Sequence, residues 1–161
     1  MFVQIGIFVI TLSAIFLMYF SFSTIARARG NKDRRLPGGA DLLFNNGRTA
    51  YRKKRYWDAV RMLSYAAFIR PERAVTYYYL GLSYAALGAF VEAEKAYQEA
   101  LRHDPKSNIT WTELGDLYRK LNRWEDAITA YRQALQIKPD FRTAHYGLES
   151  AYAYLGKKES A

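Results

Sequence analysis

The 161-residue sequence predicts an all-α protein: an N-terminal transmembrane helix, then an α-solenoid of three helix pairs plus a C-terminal capping helix. Three observations carry this expectation. Residues 1–22 contain no charged side chain, the chain repeats itself every 34 residues from residue 40 onward, and the whole net charge of +9 falls in the linker and the first repeat, residues 23–73.

The uncharged run from Phe2 to Phe22 is 21 residues long. At about 1.5 Å per residue it reaches roughly 31 Å, enough for a hydrocarbon core of about 30 Å. A cleaved signal peptide would show a charged start, a shorter apolar core and a small-residue cleavage site. Here the start is uncharged, and the nearby A-x-A is Ala26-Arg27-Ala28, inside a basic stretch. A retained anchor over residues 1–23 is therefore expected, with the lipid bilayer engaged through residues 2–22.

Residues 24–39 read as a basic linker. Arg27, Arg29, Lys32, Arg34 and Arg35 stand against Asp33 alone, a cluster suited to an anionic membrane surface. Positive charge after the span and none before it place the N-terminus outside or in a lumen and the rest of the chain in the cytoplasm or stroma. Leu36-Pro37-Gly38-Gly39 supplies a turn at the domain boundary. Residues 41–73 add a further +5, and residues 74–161 are neutral.

Residues 40–161 form the predicted helical domain. The units 74–107 and 108–141 align residue for residue. Tyr77 and Trp111 fill a bulky first position, followed by Leu80-Gly81 and Leu114-Gly115, Tyr84 and Tyr118, Ala93 and Ala127, Tyr97 and Tyr131, Ala100 and Ala134, then Pro105 and Pro139. The unit 40–73 keeps Gly47, Ala59, Leu63, Ala66 and Pro71 in phase, with Leu43 and Asn46 departing from the pattern. A last helix, 142–155, carries His145, Leu148, Tyr152 and Leu155 in phase and serves as the cap that a solenoid needs. Small residues allow backbones to approach, large ones fill the gaps, Gly88 and Asn122 close the first helices in left-handed conformation, and the prolines stop the second helices.

Period and pattern resemble the tetratricopeptide-repeat (TPR) family across residues 40–155. The resemblance implies a right-handed solenoid whose first helices line a concave groove for a protein partner. At the positions that face this groove in TPR arrays stand Phe44, Arg48, Tyr51 and Arg52, then Val75, Tyr78, Tyr79, Leu82, Ala85 and Ala86, then Thr112, Glu113, Asp116, Arg119 and Lys120, and in the cap Tyr146 and Tyr154. The expected groove is aromatic with charged borders. TPR domains that clamp a chaperone's C-terminal carboxylate use Lys, Asn and Arg at fixed positions. Those positions here carry Phe44, Arg48, Tyr79, Ile109 and Glu113, or in the other register Tyr78, Leu82, Glu113, Thr143 and Gly147, so no clamp is expected.

No catalytic constellation is visible, so the chain reads as a non-enzyme without cofactor or metal. The chain has no cysteine, and His103 and His145 lack metal-ligand spacing. The run Arg52-Lys53-Lys54-Arg55 suits a solvated, membrane-facing cluster better than a nucleic-acid patch, and no nucleic acid is expected as partner. The whole layout resembles the thylakoid photosystem I assembly TPR proteins of cyanobacteria and plastids. That resemblance implies a thylakoid scaffold or assembly factor for photosystem I subunits. The alternative is a cytosol-facing import receptor that binds amphipathic peptide segments.

Overall fold

The computed structural model describes residues 38–159. The expected anchor and the basic cluster Arg27, Arg29, Lys32, Arg34 and Arg35 lie outside the described residues. Among the described residues, no helix is long and apolar enough to cross a membrane.

Among the described residues seven helices follow one another: α1 (Gly39–Arg52), α2 (Tyr56–Ile69), α3 (Ala74–Ala86), α4 (Phe90–His103), α5 (Asn108–Lys120), α6 (Trp124–Ile137) and α7 (Arg142–Glu159). The last is 18 residues long and runs past the expected end of the cap at residue 155. Consecutive helices pack together, and the odd-numbered helices also touch one another in succession: α1 on α3, α3 on α5, α5 on α7. No such contact joins α2 to α4 or α4 to α6. An array whose odd helices crowd while its even helices spread must curve, with α1, α3, α5 and α7 on the inner side.

The 34-residue period is written into the backbone. Lys54, Gly88 and Asn122 occupy the left-handed region, with φ of 59°, 75° and 58°. Each follows the first helix of a pair, and the next amide reaches back five residues to cap it: Arg55 to the Ala50 carbonyl (2.9 Å), Ala89 to Tyr84 (3.0 Å), Arg123 to Tyr118 (2.9 Å). This bond satisfies a carbonyl that the helix end would otherwise orphan. Glycine and asparagine suit the conformation. Lys54 does not, and its place in the series is not readable from propensity.

The core repeats in the same way. Ala59, Ala93 and Ala127 have no exposed surface. They allow the second helix of each pair to lie close against the first, and the fully buried Leu63, Tyr97 and Tyr131 fill the space beside them. Gly47, Gly81 and Gly115 are the floors on which these three side chains rest. Between pairs, the Trp111 indole donates to the Pro105 carbonyl (3.0 Å), and His145 meets the Pro139 carbonyl (2.7 Å) one period later. His145 is thus structural, holding the cap to the last turn. His103 stacks on Tyr77 at 5.6 Å and lies 3.3 Å from Glu99.

The first pair is held to the second through Asp41. Its carboxylate accepts from Arg73 (2.6 Å) and Arg70 (3.1 Å) in the α2–α3 connection. Arg73 simultaneously lies 4.0 Å over the Phe44 ring. Phe44 is only 3% exposed, packed among Ala50, Leu63 and Leu80.

Candidate protein-binding groove

Helical spacing decides which side chains reach the inner surface. On α3, the doublet Tyr78-Tyr79 straddles the inner face, so the two rings diverge. They stand edge to face at 5.3 Å. Tyr79 leans toward α1, with its ring 5.8 Å from Phe44 and 5.9 Å from Tyr51. Tyr78 leans toward α4 and sits 6.5 Å from Tyr97. Tyr51, Tyr78 and Tyr79 are each half-buried and form one continuous aromatic surface across α1 and α3. Edge-to-face pairs of this kind hold their rings in place without covering both faces.

Opposite them, on α5, stands Glu113. It is half-buried and makes no hydrogen bond or ion pair among the described residues. Burial pushes its carboxyl pKa up, Asp116 one turn on pushes it further, and Lys120 draws it back down. Its charge is felt across the groove. Burial raises the Tyr51 and Tyr78 phenols above their ordinary range, and Glu113 is the next cause in both. Asp116, by contrast, already has partners, its Oδ1 accepting from the Tyr131 hydroxyl (2.8 Å) and from Arg119 (3.1 Å). The groove therefore offers one uncommitted carboxylate beside three tyrosines, an arrangement that favours a cation.

Two shallow depressions flank this centre. One, of about 210 Å³, is lined by Ala74, Val75, Tyr78 and Ile109 where α3 and α5 begin, and is mostly apolar. The other, of about 350 Å³, lies between α5 and α7 and is bordered by Asp116, Arg119, Tyr146 and Gly147.

The remaining expected groove residues divide. Arg48 is exposed, 5.7 Å from the Phe44 ring, and Leu82 is half-buried against the core of the second and third pairs. Tyr146 stands 69% exposed at the rim of the second depression. Phe44 is corrected: it is a core residue that supports Tyr79 from beneath, because the Arg73 guanidinium and α2 close over it. Tyr154 stacks on Trp124 at 4.0 Å, so one of its faces is spent on the first turn of α6. Sequence reasoning placed Glu113 on the groove but not its lack of an ion pair: Arg119 on the same helix pairs with Asp116 instead.

A curved stack of helix pairs with its inner face open has the form of a helical-repeat interaction module. Two stretches match repeat-family models: the tetratricopeptide repeat family model matches residues 74–107, and the TPR repeat model matches residues 115–156. The fold is shared with solved TPR domains. The Arabidopsis OM64 TPR domain superposes with a TM-score of 0.67 at 23% identity, over 70% of this chain and 93% of that one. The Sgt2 TPR domain from Aspergillus fumigatus gives 0.72 at 22% identity, over 78% and 84%. The first TPR of Spaghetti (RPAP3), bound to the HSP90 peptide SRMEEVD, gives 0.72 at 18% identity, over 77% and 98%. No curated protein matches the chain in sequence. A TPR solenoid is a protein-interaction scaffold, and its partners are peptides or proteins.

Proposed function

We propose that this scaffold is anchored in a membrane by residues 2–22 and that its groove holds a segment of a subunit of a membrane protein complex during assembly. The observation that carries the groove is the uncommitted Glu113 carboxylate facing the Tyr51–Tyr78–Tyr79 surface. Half-buried groups of this kind are costly in the free protein and gain a partner only when a ligand arrives. The anchor is supported by the uncharged run and the basic residues that follow it. Photosystem I is the proposed client complex on the strength of whole-chain layout, with the repeats on the cytoplasmic or stromal side of a thylakoid membrane.

A second reading is an import receptor that takes basic amphipathic segments. Glu113 favours it, since a carboxylate beside aromatic rings suits a Lys or Arg of such a segment.

The RPAP3 neighbour is bound to the HSP90 peptide SRMEEVD, which ends in an acidic residue. Likeness at this identity concerns the fold alone. At the clamp positions this groove presents tyrosines, Ile109 and Glu113, with Arg48 the single cation. We propose that an acidic C-terminus is not its ligand.

The test is affinity capture of the full chain, crosslinked in photosynthetic membranes. Photosystem I subunits captured by wild type and lost from the Glu113→Lys variant would support the proposal. Their absence from both would end the photosystem I assignment, and capture of soluble precursor proteins instead would favour the receptor.

A further inference from the structure

The second helices of the three pairs are equivalent, so their outward stripes can be compared position by position. On α4 the stripe reads Val91, Lys95, Glu99, Arg102, and on α6 it reads Glu125, Thr129, Gln133, Gln136. These are the solvated faces expected of a helix that buries its other side. On α2 the same stripe reads Trp57, Arg61, Tyr65, Phe68. Trp57 is 72% exposed and Tyr65 61% exposed, with Phe68 also on the surface. These three rings lie within one narrow sector of the helix, and the corresponding positions of the other two pairs hold none.

The charge around the stripe is one-sided. Arg52, Lys53 and Lys54 lead into it and form no ion pair among the described residues. Arg55 and Arg61 share Asp58, at 2.6 and 3.2 Å, which leaves no free acid on this face of α2. Exposed Trp and Tyr beside unpaired Lys and Arg are the composition of the bilayer interface, where amphipathic rings sit at the headgroups and cations meet anionic lipid. A protein interface would favour the aromatic rings but select against the lysines. A second copy would set this basic face against itself.

We propose that the outer face of α2 rests on an anionic membrane surface, with Trp57 and Tyr65 at headgroup depth and Arg52, Lys53 and Lys54 on the lipid charge. The first repeat then acts as a second, reversible membrane contact that fixes how the groove is presented. The evidence for this contact is independent of the proposed anchor and client.

The chain lacks cysteine, so one introduced thiol labels uniquely. Ser64 and Gln98 are both exposed and one period apart, on α2 and α4. Full-length Ser64→Cys and Gln98→Cys proteins carry a polarity-sensitive dye and are mixed with phosphatidylcholine vesicles, with or without phosphatidylglycerol. The expected result is a several-fold brightening and blue shift at position 64, only in anionic vesicles and reversed by high salt, with position 98 silent. Equal responses at the two positions, or none at position 64, overturn the proposal. Flotation of the same samples reports the anchor separately. A chain that floats in high salt with position 64 silent keeps the anchor and loses the α2 contact. A chain released by salt after position 64 has brightened keeps the α2 contact and loses the anchor.

Discussion

Tyr131 lies so close to Gly115 that a methyl group added to the glycine would stop 2.7 Å from the ring. The ring is wedged between α5 and α7, with Gly147 against its other side, and its hydroxyl reaches Asp116. Glycine inside α5 is costly for the helix itself, by about 1 kcal/mol relative to alanine. Gly115→Ala should nevertheless destabilise the domain, because overpacking a closed site costs about 1–3 kcal/mol. Urea denaturation followed by circular dichroism checks this, and a gain in stability would show that the Tyr131 ring can shift to admit the methyl group.

Ala127 has no exposed surface and sits where α5 and α6 touch. Ala127→Asp places an unpaired charge there and should cost several kcal/mol, a large share of a total of about 5–15 kcal/mol. Gln136→Ala, on the exposed stripe of α6, should change stability by less than about 0.5 kcal/mol. Similar melting temperatures for the two variants would mean that the helix register is wrong.

Lys54 is the one residue of the 54–88–122 series whose side chain is ill suited to positive φ. Lys54→Gly should stabilise the first pair by up to about 1 kcal/mol, since the left-handed conformation costs a non-glycine residue about 1–2 kcal/mol and glycine's greater chain entropy returns part of it. Gly88→Lys should do the reverse. Thermal melts of both variants give the comparison.

Glu113 gives a pH signature. Its carboxyl pKa is higher folded than unfolded, chiefly through burial. Between the two values the folded state binds more proton, so stability falls as pH rises through that window. Above it, at neutral pH, the ionised carboxylate is a standing cost. Glu113→Gln should therefore raise the melting temperature at neutral pH, and its advantage should vanish below the unfolded carboxyl range. The same variant should weaken binding of a basic client segment. A variant that is less stable than wild type at neutral pH would mean that Glu113 has a partner in the free protein.

The repeats were legible because each core position is chemically narrow. Only glycine tolerates Tyr131 at 115, only a small residue fits at 93 and 127, and the period carries these demands from unit to unit. The first pair was harder to read. Its bulky position holds Leu43, and its left-handed residue is a lysine. The groove was legible as a set of helix positions but not in its chemistry. Phe44 occupies a groove position yet is roofed by Arg73, and Tyr154 spends a face on Trp124, because both outcomes depend on contacts from other elements. The α2 stripe left no mark in the repeat pattern, since outward positions carry no packing requirement.

The central claim is that the inner face, and not the outer one, holds the partner. Tyr146 tests it most directly, being the most exposed of the groove aromatics and the least involved in packing. A photo-crosslinking amino acid replaces Tyr146 in one full-length protein and Gln98, on the outer face of α4, in another. After irradiation in native membranes, the account predicts a discrete crosslinked protein from position 146 and none from position 98. A partner trapped from position 98 alone would contradict it.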